Sequence, residues 1–127
     1  MARIPYVEKE SAPPDVRAVY EQIERKFGMV PNVLKAMAVS PGVFKGFVGF
    51  LGAVLGEDSI PAPLKELAIL TTTKINGCRY CTAHHTMLGT RVGLTSEKIE
   101  ALPDAGSSVF DEKERAVVRF ASEVCER

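Results

Sequence analysis

Cys78, Cys81 and His85 stand three and four residues apart in the run Cys78-Arg79-Tyr80-Cys81-Thr82-Ala83-His84-His85. On a helix those spacings put all three side chains on one face, one turn after another. Cys78 falls at the start of that helix, where unpaired amide protons and the helix dipole favour a thiolate. The thiolate is the reactive form, and a free cysteine with a pKa of about 8.5 is mostly protonated at neutral pH. An imidazole one turn from Cys81 supplies the missing base. A peroxide attacked by such a thiolate leaves a sulfenic acid on the first sulfur, and a second thiol condenses with it to a disulfide. Two sulfurs and a proton acceptor are what those two steps require.

A fourth residue joins them from a distance. Glu66 lies twelve positions before Cys78, in the helical pattern that precedes the break at Asn76-Gly77. If the two helices fold back on each other around that break, the carboxylate reaches the His85 face. There it would orient the imidazole and raise its basicity, the base-plus-orienter arrangement of activated nucleophiles. His84 points about 100° away from His85 on an ideal helix, which reads as a surface or interface position.

The elements that must hold these groups all read as helices. Ser11 before Pro13 and Pro14 predicts a helix start, Val16, Val19, Tyr20, Ile23 and Phe27 form its apolar stripe, and Gly28 ends it. Arg17, Glu21, Glu24 and Arg25 make its polar face. Pro31-Asn32 begins a short second helix to about Val39. Ser40-Pro41 begins a third to about Leu55, closed by Gly56. Its glycines, Gly42, Gly46, Gly49 and Gly52, lower its propensity and fit either a close helix approach or flexibility. The fourth follows Ser59, with Pro61 and Pro63 in its first turn and Leu64, Leu67, Ala68, Leu70, Thr71 and Ile75 along it. Thr71-Thr72-Thr73 is the one β-prone patch, and a strand there has no partner. The fifth runs from about Cys78 to Arg91, and Gly93 ends it. Thr95 or Ser96 caps a short sixth that stops near Leu102-Pro103. Asp111 with Glu114 three residues on is a capping box for the last helix, whose stripe is Val117, Phe120, Ala121 and Val124. Met29, Met37 and Met87 read as core packing, Phe44-Phe47-Phe50 as core or interface with the lining of a hydroperoxide pocket as the lesser alternative, and Cys125 as a small apolar residue. The fold class expected is therefore all-α, a bundle of six to seven helices with the Cys-x-x-Cys helix packed on the one before it.

Bulk properties narrow the function. A length of 127 residues suits one domain over 1–127. With 46% hydrophobic and 25% charged residues, the chain is not a disordered tail. A formal net charge of zero, without a basic stripe, argues against nucleic acid as a partner. The most apolar stretch, Val43 to Leu55, is interrupted by Lys45 and falls short of a membrane span. The N-terminus lacks a signal-peptide layout, so a cytoplasmic location is expected. Three cysteines are too few for a secreted disulfide framework. The chain stops in helical register at Arg127 without a Gly or Pro stop, and the natural protein is expected to be longer. Wide apolar faces on so short a chain predict that subunits share a core.

The pattern Glu66-x11-Cys78-x2-Cys81-x3-His85 resembles the signature of the alkylhydroperoxidase D-like (AhpD-like) family, within the carboxymuconolactone decarboxylase superfamily. The resemblance is sharp over residues 64–94 and looser elsewhere. Asn32-Val-Leu-Lys-Ala-Met and the Ser40-Pro41 cap also resemble its peroxidase-related branch. The resemblance implies an all-helical fold assembled as trimers or multiples of trimers. It implies a thiol-dependent peroxidase in which Cys81 attacks a hydroperoxide, Cys78 resolves the sulfenic acid into a disulfide, and His85 and Glu66 relay the proton. It implies no metal and no organic cofactor, with electrons supplied by a thiol or dithiol donor. One position departs from the pattern: some members carry histidine directly before the second cysteine, where this chain has Tyr80. A tyrosine with a pKa of about 10 cannot serve as a base near neutrality. Tyr80 and His84 are thus the accessory candidates.

The same residues admit other readings. A zinc site would draw on Cys78, Cys81 and His85 with Glu66 or Cys125 as a fourth ligand, although zinc sites of this kind usually bring a second ligand pair. A non-catalytic redox sensor would oxidise once and stop. A lactone-decarboxylating lyase is weaker, because that branch of the superfamily generally lacks the cysteine pair.

Overall fold

A computed structural model describes residues 3–56 and 58–126. Among them no strand occurs. After a single 3-10 turn at Lys9–Ser11 come seven α-helices: α1 (Pro14–Phe27), α2 (Asn32–Met37), α3 (Pro41–Leu55), α4 (Ala62–Ile75), α5 (Arg79–Arg91), α6 (Ser96–Ala101) and α7 (Glu112–Cys125). The all-α class read from the periodicity is the one observed. No helix among the described residues is long and apolar enough to cross a membrane. The chain divides into two compact units, Met1–Val54 and Leu55–Arg127.

In the first unit the stripe of α1 buries Val16, Tyr20 and Ile23. They pack with Val30, Leu34, Ala38 and Phe44. Tyr20 meets Phe44 edge-on, with centroids 5.4 Å apart, and its hydroxyl donates to the Val7 carbonyl at 2.9 Å, so the one polar atom carried inward is satisfied. Gly28 ends α1 in the left-handed region at φ 81°, where a Cβ would clash with the backbone. α1 starts at the proline pair, as the sequence predicts. Ser11 lies in the 3-10 turn, and Pro13 occupies the cap position without a side-chain bond. Two consecutive prolines fix the extended backbone there and make a hydroxyl cap unnecessary.

α3 is apolar nearly all round but buries fully only Phe44. Phe50 is 65% exposed, and Val43 and Val54 are exposed as well. Among the described residues, a Cβ at Gly42, Gly46, Gly49 or Gly52 would meet nothing within 4 Å. Met29 is exposed rather than packed in a core, because it falls in the turn after Gly28 rather than on a helix face.

The second unit is built on α4, which packs against both α5 and α7. Leu67, Leu70, Leu94, Ile99, Leu102, Phe110 and Val118 form its core. Lys74 reaches across to donate to the carbonyls of Ile99 and Leu102, which satisfies groups that the end of α6 leaves unpaired. The capping box of α7 is complete. Asp111 accepts from the Glu114 amide at 2.9 Å, and Glu114 accepts from the Asp111 amide at 3.0 Å. Lys98 pairs with the second oxygen of Glu114 at 2.6 Å. The buried face of α7 is Glu114, Val118 and Ala121, whereas Phe120 and Val124 of the expected stripe are 69% and 61% exposed. The apolar arc of this helix is wider than the arc that α4 covers.

Candidate functional site

All four residues of the sequence pattern lie in the second unit, on α4, α5 and the turn between them. Pro61 caps α4 without a side-chain bond and leads into the proline-containing first turn. The threonine run is helical, not extended. Thr71, Thr72 and Thr73 donate to the carbonyls of Leu67, Ala68 and Leu70 at 2.7, 3.0 and 3.1 Å, so each buried or half-buried hydroxyl is satisfied within its own helix.

The turn that reverses the chain is short and tightly bonded. The amides of Asn76 and Gly77 donate to Thr72 and Lys74, and the amide of Cys78 donates to the Thr73 carbonyl at 3.0 Å. Gly77 takes φ 65°, the left-handed conformation that such a reversal demands. Cys78 is thereby delivered as the N-cap of α5. Its Sγ accepts from the Cys81 amide at 3.3 Å. Cys78 and Cys81 are joined by a disulfide, with their α-carbons 5.4 Å apart. A sulfur at a helix N-cap receives the amide protons and the positive end of the dipole, both of which stabilise a thiolate when the bond is open.

One turn further along α5, His85 Nδ1 lies 2.8 Å from Glu66 Oε2. Glu66 is only 6% exposed, and His85 is about one-fifth exposed. An ionised carboxylate only accepts, so Nδ1–H donates to it and Nε2 is left as the basic nitrogen. The carboxylate thus sets the tautomer of an imidazole that follows Cys81 by one turn. Thr82 adds a second tie between the helices, its hydroxyl donating to Thr73 Oγ1 at 3.1 Å.

Gly89, which the sequence reading passed over, makes this approach possible. It continues the four-residue column Cys81, His85, Gly89 on α5 and is buried against α4. A Cβ there would stand 3.1 Å from Leu94 Cδ1, 3.2 Å from Leu70 Cδ1 and 3.8 Å from Glu66 Cβ. The signal was available as an isolated glycine inside a helical pattern, which usually marks a close approach.

The accessory candidates lie together on a neighbouring strip of α5. The rings of Tyr80 and His84 are parallel, with centroids 6.4 Å apart, and His84 meets His85 edge-on at 5.4 Å. His84 is half-buried rather than fully at the surface. Burial, then the positive charge His85 can carry, hold its pKa below the ordinary histidine value; Glu66 opposes this and Arg91 adds to it. Tyr80 is 48% exposed. Cys125 carries no disulfide; it lines an apolar groove between α4 and α7 with Ala68, Ile69, Thr72, Phe120 and Val124, and so does not join the pair. Among the described residues no cluster of three or more His, Cys, Asp or Glu is arranged to hold a metal ion.

A sequence model of the carboxymuconolactone decarboxylase family matches residues 41–123, a range that contains the whole site. No curated protein matches the chain. Among solved structures, an uncharacterised peroxidase-related protein from Ralstonia eutropha with an alkylhydroperoxidase AhpD core is 25% identical, with a TM-score of 0.80 over 98% of this chain. The debrominase Bmp8 in its apo form is also 25% identical, with a TM-score of 0.80 over 95% of this chain. This chain spans 66% and 65% of the length of those two proteins, just under two thirds. An AhpD core from Rhodospirillum rubrum, 22% identical, has the same fold, with a TM-score of 0.72 over 98% of this chain and 86% of its own.

Proposed function

Since the chain belongs to the carboxymuconolactone decarboxylase family and has the AhpD-like fold, we propose that it is a thiol-dependent peroxidase working through Cys78, Cys81, His85 and Glu66. The observation that carries this reading is the 2.8 Å contact between the buried Glu66 carboxylate and His85 Nδ1, on the helix that holds a bonded cysteine pair.

In the reduced state His85 Nε2 takes the proton of Cys81, and Glu66 holds the resulting imidazolium. The Cys81 thiolate attacks the terminal oxygen of a hydroperoxide. The S–O bond forms as the O–O bond breaks, and the departing alkoxide takes the proton from Nε2 and leaves as an alcohol. Cys78 then attacks the sulfenic sulfur, with its proton passing through His85 to the departing hydroxide, and water is released. Two thiol equivalents from a donor return the disulfide to two thiols. Each step uses the imidazole once as base and once as acid, the paired role of a histidine in general acid–base catalysis. Tyr80, exposed beside the pair, can contribute a hydrogen bond but not base catalysis.

The chain is further proposed to work in the cytoplasm and to assemble with copies of itself as a trimer or a multiple of trimers. The exposed Phe50 and Phe120 support self-association, and light scattering that gives a single-chain mass would remove it.

The test is steady-state consumption of an alkyl hydroperoxide with a dithiol reductant. Continued turnover that is abolished by Cys81→Ser supports the peroxidase. A single round of oxidation that then stops identifies a sensor, and activity on a lactone acid that survives loss of both cysteines identifies a lyase. The likeness to a debrominase favours one second reading, in which the same dithiol gives its two electrons to a brominated ring, releases bromide and ends as the same disulfide. Bromide release in place of alcohol formation would select it.

A further inference from the structure

Charge along the stretch of chain that carries the cysteine pair is one-sided. The chain as a whole balances 16 acidic against 16 basic side chains, yet no aspartate or glutamate lies between Glu66 and Glu97. That stretch carries Lys74, Arg79, His84, His85 and Arg91 and includes the whole of α5. Glu66, the acidic group at the site, is buried and faces inward on His85. Of the cations, Lys74 is directed to the Ile99 and Leu102 carbonyls. Arg79 directly follows Cys78 and is exposed, and Arg91 is exposed in the last turn of α5. The charge of Arg91 is felt at His84, whose pKa it helps to lower. The charge next to the disulfide in the chain, and exposed to solvent, is therefore the positive one of Arg79.

We infer that the thiol donor that reduces the Cys78–Cys81 disulfide carries a negatively charged group, received by Arg79 beside the sulfurs. This rests on reading the pair as a disulfide turned over by thiols. The donor thiolate attacks one sulfur and the S–S bond breaks. The other sulfur leaves with the electron pair as a thiolate that takes up a proton. A second donor thiolate, or the other arm of a dithiol, attacks the mixed disulfide and expels the remaining protein thiolate, and the donor departs as its own disulfide. The attacking species is already an anion, and a second negative charge on the donor adds to its attraction. At about 8 Å in dilute salt, where the Debye length is about 30 Å, each opposite pair in water gives about a two-fold rate gain. Changing a donor substituent from positive to negative thus changes the rate about four-fold for one arginine.

The experiment is stopped-flow reduction of the oxidised full chain by mercaptopropionate, mercaptoethanol and cysteamine, which are anionic, neutral and cationic. Each rate is divided by that thiol's rate toward the uncharged disulfide of mercaptoethanol, which removes differences in intrinsic nucleophilicity. The expected order is anionic, neutral, cationic, spanning about four-fold at low salt and collapsing toward equality at about 1 M salt. Arg79→Gln should narrow the span, and Arg79→Lys should keep it. Equal normalised rates in the parent, or a span that Arg79→Gln leaves unchanged, overturn the inference while leaving the thiol-donor reading in place. A disulfide that none of the three thiols reduces overturns both.

Discussion

Replacing Glu66 by glutamine removes a charge and keeps the shape. The amide oxygen can still accept from His85 Nδ1, now at 2.8 Å from Glu66 Oε2, but the bond ceases to be charge-assisted. A hydrogen bond to a charged group is worth about 1.5–3 kcal/mol net against about 0.5–1.5 for a neutral one. The loss, about 1–2 kcal/mol, falls on the state in which His85 is protonated and Cys81 is a thiolate. The ratio of that state to the neutral pair drops about 5–30-fold, and the rate of attack drops with it. The assay is the second-order rate constant for reaction of the reduced protein with an alkyl hydroperoxide, followed by stopped flow below neutral pH. Thermal stability should hold in the same variant, because glutamine retains the hydrogen bond and sheds the cost of burying a charge. A rate constant within two-fold of the parent, in a folded variant, would refute the claim that the carboxylate works through the imidazole.

Gly89→Leu should force α5 away from α4, since even a Cβ there stands 3.1 Å from a core methyl. Overpacking of this kind costs about 1–3 kcal/mol, so a lowered melting temperature and a slower Cys81 should appear together, both milder in Gly89→Ala. Asp111→Ala breaks the capping box at a cost of about 1 kcal/mol, a fall of ~4 °C in Tm, with the peroxide reaction unchanged. His84 has a folded-state pKa below its unfolded value. As pH falls through the unfolded value of about 6.5, the unfolded chain takes the proton first, so this group's contribution to stability is present above that pH and lost as pH falls toward the folded pKa. A melting temperature measured across that range should decline less steeply in His84→Phe.

Punctuation was the legible part of the sequence. Gly28, Gly77 and Asp111 with Glu114 mark boundaries because each solves a local problem, a left-handed residue or an orphan amide, that nothing remote changes. The helix spacing of Cys78, Cys81 and His85 was legible for the same reason. The buried arc of α7 was not, because periodicity gives the direction of an apolar face but not how much of it a neighbour covers. Phe120 and Val124 belong to the pattern and remain exposed. The meeting of Glu66 with His85 could be posed from the hairpin but not measured, since it depends on how closely two helices approach. That approach is set by Gly89, whose meaning emerges only once Leu70 and Leu94 are seen beside it.

Whether Cys81 attacks and Cys78 resolves is decided by giving the reduced protein one equivalent of an alkyl hydroperoxide and mapping the products by mass spectrometry. The expected products are a Cys78–Cys81 disulfide in the parent, a sulfenic acid on Cys81 in Cys78→Ser, and no oxidation in Cys81→Ser. Oxidation of Cys78 in Cys81→Ser at the parent's rate, or thiols that stay reduced throughout, would contradict that assignment.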